Sequence, residues 1–220
     1  MNFDDIEVIT TSILEETQEL LGKHELPVPV EQIATELFQL KVEKAKLPKE
    51  QTGRLILENK TILVNSKDKA ERQRFTISHE LGHYCLHRKT LIKSGSPSKR
   101  CCNSRKETEA NTFAAYLLMP RRLVYEFFIK ELVEATKEDL DWLLRILNRL
   151  PNSDIASLNS LLSNYAISNH RNVNLKQQLL TSLIPSIALK FGVSRDAITW
   201  RLKDLKILSH FVTKEIYENI

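Results

Sequence analysis

Arg74-Phe75-Thr76-Ile77-Ser78-His79-Glu80-Leu81-Gly82-His83-Tyr84-Cys85-Leu86-His87 decides how the rest of the chain is read, because it contains His79-Glu80-x-x-His83. On a helix, residues four apart sit one above the other with Cβ atoms ~5–6 Å apart. Two imidazoles at that spacing can reach one metal ion at Zn–N distances of ~2.0–2.1 Å. Glu80 follows the first of them and flanks the place where a reacting water would lie, the position of a general base. The competing plain reading is a surface helix that happens to carry two histidines.

Two histidines leave a catalytic zinc site one protein ligand short. His87 extends the four-residue series, but in a continuous helix it lies ~12 Å along the axis from His79, too far to share the ion. Unless the helix breaks after His83, it is a supporting or structural residue. His24, His170 and His210 stand alone. A carboxylate from another helix is the better candidate, and Glu107, Glu109 and Glu126 are within reach in sequence. Glu109 shares a face with Phe113, Tyr116 and Leu117 and is expected to point inward. Ser104-x-x-Glu107 reads as a capping box, which gives Glu107 a different task. Glu109 is therefore the expected third ligand.

Outward from this stretch, the preceding segment Asp68-x-x-Glu71 reads as a helix-starting capping box. Gly82 in mid-helix costs ~1 kcal/mol relative to Ala, which suggests close approach of another backbone. Gly53–Leu57 and Thr61–Asn65 flank Glu58-Asn59-Lys60 as a β-hairpin, and Lys41-Val42-Glu43 is a candidate short strand. Upstream, apolar positions between residues 5 and 21 outline a helix that Gly22 ends, and a second helix is expected at about 30–39. Downstream, residues 88–104 form a basic, Ser-rich loop holding Cys101 and Cys102. A helix then runs to Pro120 with Ala110, Phe113, Ala114 and Leu117 inward. Leu-rich stripes predict further helices over 121–170. Finally, Pro185–Leu202 reads as helix, Gly192 turn and a helix capped by Ser194. Val193 and Ile198 form its hydrophobic staple, the pattern of a helix-turn-helix.

Length and composition agree with a soluble α+β chain, mostly helical, of 220 residues with 42% hydrophobic and 27% charged side chains. Three cysteines without an export signal point to a reducing compartment, so the expected location is cytoplasmic. No run of 18 apolar residues suggests a membrane partner. The net charge of +4 sits in residues 171–220, with eight Lys/Arg against four Asp/Glu. That leaves DNA binding open but thinly supported: the second helix of the unit offers only Arg195, Thr199, Trp200 and Arg201 for base readout.

Arg74–His83, followed by Glu109-Ala110-Asn111-x-Phe113-Ala114-Ala115-x-Leu117-Leu118-Met119-Pro120, resembles the ImmA/IrrE family of zinc metallo-endopeptidases. The resemblance covers roughly residues 5–120, and the unit at 185–208 resembles the segment that follows the peptidase domain in some members. It implies a zincin-like peptidase domain with a small antiparallel sheet over 1–125, a helical connection over 126–180 and an all-α helix-turn-helix-like unit over 181–220. Carried over by position, His79, His83 and Glu109 would hold one Zn2+ per chain and Glu80 would be the catalytic base. The implied substrate is a protein, a helix-turn-helix transcriptional repressor of stress or mobile-element genes. An extended substrate would pair with a hairpin edge, most simply Thr61–Asn65. Tyr116 and His87 are candidates for stabilising the oxyanion, and a Cys101 or Cys102 thiolate is a candidate switch on the metal. The helical stretch at about 121–180 is longer than the usual connection in that family. The alternative is a DNA- or repressor-binding regulator whose zinc is structural or sensory and which cleaves nothing.

Overall fold

A computed structural model describes residues 2–22, 26–88, 104–136 and 183–207. The expected basic loop with Cys101 and Cys102 and most of the Leu-rich region lie outside these residues, as do His24, His170 and His210. The chain divides into two compact units, Met1–Pro120 with Phe191–Val193, and Arg121–Lys190 with Ser194–Ile220.

In the first unit, helix α1 spans Phe3–Leu21. Asn2 and Asp5 cap each other's backbone, and Gly22, at φ 80°, ends the helix by donating its N–H to Gln18. Its buried stripe is Ile6, Thr10, Ile13 and Thr17. The two threonines enter the core because each hydroxyl donates to a carbonyl one turn back, Thr10 to Ile6 and Thr17 to Ile13. The helix expected at 30–39 is a short α2, Val30–Gln32, that widens into a π-helical turn over Ile33–Leu37.

Three strands follow: β1 Lys41–Ala45, β2 Gly53–Ile56 and β3 Thr61–Asn65, in the order β1-β3-β2. β2 and β3 form the expected hairpin, but β1 joins β3 in parallel, so the sheet is mixed rather than antiparallel. Because β1 and β2 flank it, β3 has no free edge, and Thr61–Asn65 cannot receive an added strand. Among the described residues, the free edge on the hairpin side belongs to β2. Asn65 N–H donates to Thr52 O at 2.7 Å. Given the register, alternation then turns Arg54 and Ile56 toward β3 and leaves the backbone groups of Gly53 and Leu55 facing outward. Buried Asn65 also holds the loop that leads into β2, its Nδ2 donating to Gln51 O at 3.0 Å and its Oδ1 accepting from Lys67 N–H at 3.2 Å.

Helix α3 spans Ala70–Gly82 and continues as a π-helical turn over His83–His87. The Asp68–Glu71 capping box does not form. Lys69 occupies the cap position without a side-chain bond, and Asp68 instead faces Arg72 at 3.7 Å. Helix α4, Ser104–Leu118, packs on α3 through Ala110, Phe113, Ala114 and Leu117, all fully buried. Burying a side chain such as Phe113 or Leu117 is worth ~1.5–3 kcal/mol. Two glycines allow the close packing around α3. A Cβ at Gly82 would lie 3.2 Å from the Ala110 Cα, Ala110 O and Phe113 Cβ of α4, the backbone approach its position suggested. A Cβ on Gly53 of β2 would collide with Thr76 Cγ2 of α3 and Leu63 O of β3.

In the second unit, α5 runs from Arg121 to Thr136, and Tyr125 donates its hydroxyl to Leu205 O at 3.1 Å. Helices α6, Ile184–Phe191, and α7, Arg195–Asp204, carry the helix-turn-helix pattern. Ser194 caps α7 by accepting from Ala197 N–H at 3.1 Å, and Ala188, Ile198 and Leu202 are buried as the pattern required, as is Val193, which is counted with the first unit.

Candidate metal centre

His79 and His83 stand one turn apart, on the last turn of α3 and the first residue of the π turn. Their rings meet edge to face with centroids 4.6 Å apart, and their Nε2 atoms are 3.0 Å apart. Glu107 of α4 closes the group, with one carboxylate oxygen 3.3 Å from His79 Nε2 and the other 3.4 Å from His83 Nε2. Among the described residues, these three side chains form a set that could hold a metal ion, their donor atoms all within 4.8 Å of one another.

Glu109 is not at this point. It is buried on the other flank of α4, with Oε2 3.5 Å from His87 Nε2 and Oε1 accepting from Arg105 Nε at 3.2 Å. The reason is rotational. Each helical residue turns ~100°, so Glu107 falls ~60° to one side of Ala110, the residue against Gly82, and Glu109 falls ~100° to the other. Glu109 does point inward as expected, but toward His87 rather than toward His79 and His83. The Glu107 carboxylate, expected to cap the helix, is turned to the histidines.

The same rotation exposes a residue that spacing alone had not singled out. Asn111 lies one turn after Glu107 on the same flank, and its Oδ1 accepts from His79 Nδ1 at 2.9 Å. That bond keeps the proton on Nδ1 and leaves the Nε2 lone pair facing Glu107 and His83, as a metal ligand requires. The signal was present in the sequence as an i, i+4 pair on α4, readable only once one member was known to face the site.

Electrostatics support lone pairs rather than ion pairs. Burial pushes the His83 imidazole down to about 3, with His79, His87 and Lys106 adding to the effect. Burial also lowers His79, against the opposing pull of Glu107. Both imidazoles are thus neutral at pH 7, the form that ligates metals. His83 Nδ1 is buried without a hydrogen-bond partner. Two neutral imidazole nitrogens and a carboxylate converging at about 3 Å make a donor set that fits a divalent cation. Three protein donors is the number that catalytic zinc sites use, with water as the fourth.

Glu80 points from α3 toward β2. Its carboxyl is pushed up to about 7, first by burial and further by Glu107, while the Leu55 N–H acts in the opposite direction. A carboxyl near neutrality takes up and releases a proton with little bias, the property of a general acid–base group. Cys85, in the π turn, is shifted to about 12 by burial and is therefore a thiol rather than a nucleophile. In the second unit, two of the four proposed DNA-reading side chains are withdrawn. Arg201 is fully buried and donates to Asp204 at 2.5 Å, and Thr199 is buried, while Arg195 and Trp200 stay exposed.

A protein-family model for the IrrE N-terminal-like domain, a peptidase family, matches residues 30–139. The domain is therefore of a metallopeptidase type. The match covers half of the chain, and the chain belongs to this ImmA/IrrE-type family. A curated relative, "Uncharacterized immunity region protein 2" of Bacillus phage phi105, is 32% identical over 103 residues. These are 47% of this chain and 60% of the phage protein, so the chain spans about 60% of that relative's length. Among solved structures, a Mycobacterium tuberculosis transcriptional regulator aligns over 90% of this chain and 46% of its own, at 14% identity and a TM-score of 0.49. That likeness is too distant to carry an inference. No helix among the described residues is long and apolar enough to cross a membrane.

Proposed function

We propose that the chain is a zinc-dependent endopeptidase that cleaves a helix-turn-helix transcriptional repressor, relieving repression of mobile-element or stress genes. The observation that supports it most is the convergence of His79, His83 and Glu107 beside Glu80, within a domain of a metallopeptidase family. The printed name of the phage relative, an immunity region protein, supports the choice of a repressor as substrate.

His79, His83 and Glu107 would hold the metal, with Asn111 fixing the His79 ring. When bound, zinc supplies polarisation of the scissile carbonyl and acidification of water. Glu80 takes the proton as water attacks the carbonyl carbon and returns it to the departing amine. The outward backbone groups of Gly53 and the Leu55 carbonyl on β2 offer pairing positions for an extended substrate strand, beside the Leu55 N–H that Glu80 engages. This replaces β3 as the docking edge.

The test is co-expression with the repressor encoded beside the chain's own gene, comparing wild type with Glu80→Gln. The expected outcome is a cleaved repressor with wild type and an intact one with the variant. An intact repressor with zinc-loaded wild type overturns the peptidase reading. Relief of repression by Glu80→Gln equal to wild type would replace it with a binding antagonist.

A further inference from the structure

His87 and Glu109 take no part in the chemistry above, yet both are buried in a polar contact between two helices. His87 is 6% exposed and Glu109 7%, and His87 Nε2, buried and without a hydrogen bond, faces the Glu109 carboxylate at 3.5 Å, an electrostatic contact. The backbone is shaped for this contact. Continued α geometry would carry His87 ~140° from the line of Gly82, turned away from α4. The chain instead widens into a π turn at His83, and His87 faces inward, its ring centroid 5.7 Å from that of His83. Single π turns of this kind recur at functional sites.

The surrounding packing shows why such a contact is useful. The helices cross where Gly82 meets Ala110 and the Phe113 Cβ, and Phe113 and Leu117 are fully buried on the α4 stripe. Their apolar burial holds α4 on α3 but is non-directional, whereas the Glu109 contact, one residue before Ala110, is directional. Two glutamates lie on that helix, two residues apart and on opposite flanks of the crossing. Only one rotation delivers Glu107 to His79 and His83.

We propose that His87 and Glu109 are positioning residues: their buried contact keys the rotation of α4 on α3 so that Glu107, and not Glu109, completes the metal site. A buried polar pair selecting one register over its neighbours is a known use of such groups. The π turn is the local deformation that brings the key into place. This rests on the metal reading of His79, His83 and Glu107.

The experiment uses the full chain stripped of metal, titrated with Zn2+ against a chromophoric chelator and with Co2+ by visible absorption, beside thermal unfolding of the metal-free protein. Wild type is expected to bind one ion with a tetrahedral Co2+ spectrum. The double variant His87→Leu/Glu109→Met replaces the pair by apolar groups of similar volume. It should keep its metal-free unfolding temperature while its Zn2+ affinity falls at least about tenfold and its Co2+ spectrum changes, the range seen when groups behind metal ligands are removed. Should that double variant fail to fold, Glu109→Gln, which keeps shape and a polar contact, serves in its place. It should retain one ion with affinity within about tenfold of wild type. Unchanged affinity and spectrum in a folded double variant would reduce the pair to ordinary packing. Complete loss of metal in Glu109→Gln would make Glu109 a ligand and overturn the proposal. Absence of metal binding by wild type would remove the metal reading as well, a result distinct from either.

Discussion

Helices α3 and α4 supply the two halves of the candidate metal centre, and they differ in how much of their role is internal to them. On α3, His79 and His83 are placed by their spacing alone, because helical geometry stacks residues four apart whatever surrounds them. On α4, Glu107 and Glu109 are chemically equal and two residues apart, and nothing within the helix chooses between them. The choice is made by where α3 touches α4, at Gly82 and Ala110. Intrahelical spacing is therefore a strong warrant for a ligand pair, and a weak one for the ligand that must come from a partner.

The comparison breaks most sharply at Glu107. Substituting Glu107→Gln removes a negatively charged ligand and should lower Zn2+ affinity by more than the roughly 10–100-fold typical of groups that only support a ligand. Equilibrium dialysis with metal analysis measures it. A loss of less than tenfold would mean that α4 contributes its ligand elsewhere, and the flank assigned here would be wrong.

Much of the fold was legible for the same reason that His79 and His83 were. The Gly22 stop, the β2–β3 hairpin, the buried stripe of α4 and the Ser194 cap are local patterns, and each appears as read. What escaped depends on long-range placement. β1 joins β3 in parallel from across a loop, which no local alternation reveals, and this moves the free edge from β3 to β2. The missing Asp68 cap and the buried Arg201 are different: each side chain took a local partner other than the one expected, Arg72 one turn on and Asp204 three residues on. The π turn at His83 was outside any periodicity, although the sequence allowed for a break there.

A second test of the contrast lies in the two glycines that let α3 be approached so closely. Gly82 gains ~1 kcal/mol of helix propensity on conversion to Ala. Its new Cβ would nevertheless press at 3.2 Å on the Ala110 backbone, which has little freedom to yield. Gly53 has no helical gain to offset its clash, and its Cβ would press on both Thr76 Cγ2 and the Leu63 carbonyl. Overpacking costs ~1–3 kcal/mol. Chemical denaturation should therefore show Gly53→Ala destabilised by about 2–3 kcal/mol and Gly82→Ala by no more than about 1 kcal/mol. The reverse order would show that the α3–α4 contact, rather than the α3–β2 contact, is the tighter of the two.

The smallest expected effect concerns Glu80, whose position belongs to α3 but whose acidity does not. Burial beside β2 and the proximity of Glu107 raise its carboxyl from 4.5 to about 7 in the metal-free fold. Between those values the folded chain holds a proton that the unfolded chain has released. The associated stability is present below about pH 4.5 and is lost as pH rises through about 7. His83 works in the opposite sense. Lowered from 6.5 to about 3, it contributes stability above pH 6.5 that is lost as pH falls toward 3. Glu80→Gln cannot ionise, so in metal-free protein it should gain on wild type between pH 5 and pH 8 by on the order of 2 kcal/mol. Its acid-side loss, which comes from the histidines, should stay. Thermal unfolding at the two pH values decides it. A difference between variant and wild type that does not change with pH would mean that Glu80 sits in solvent-like surroundings, and that its readiness to exchange a proton has to come from the bound metal and substrate rather than from the fold.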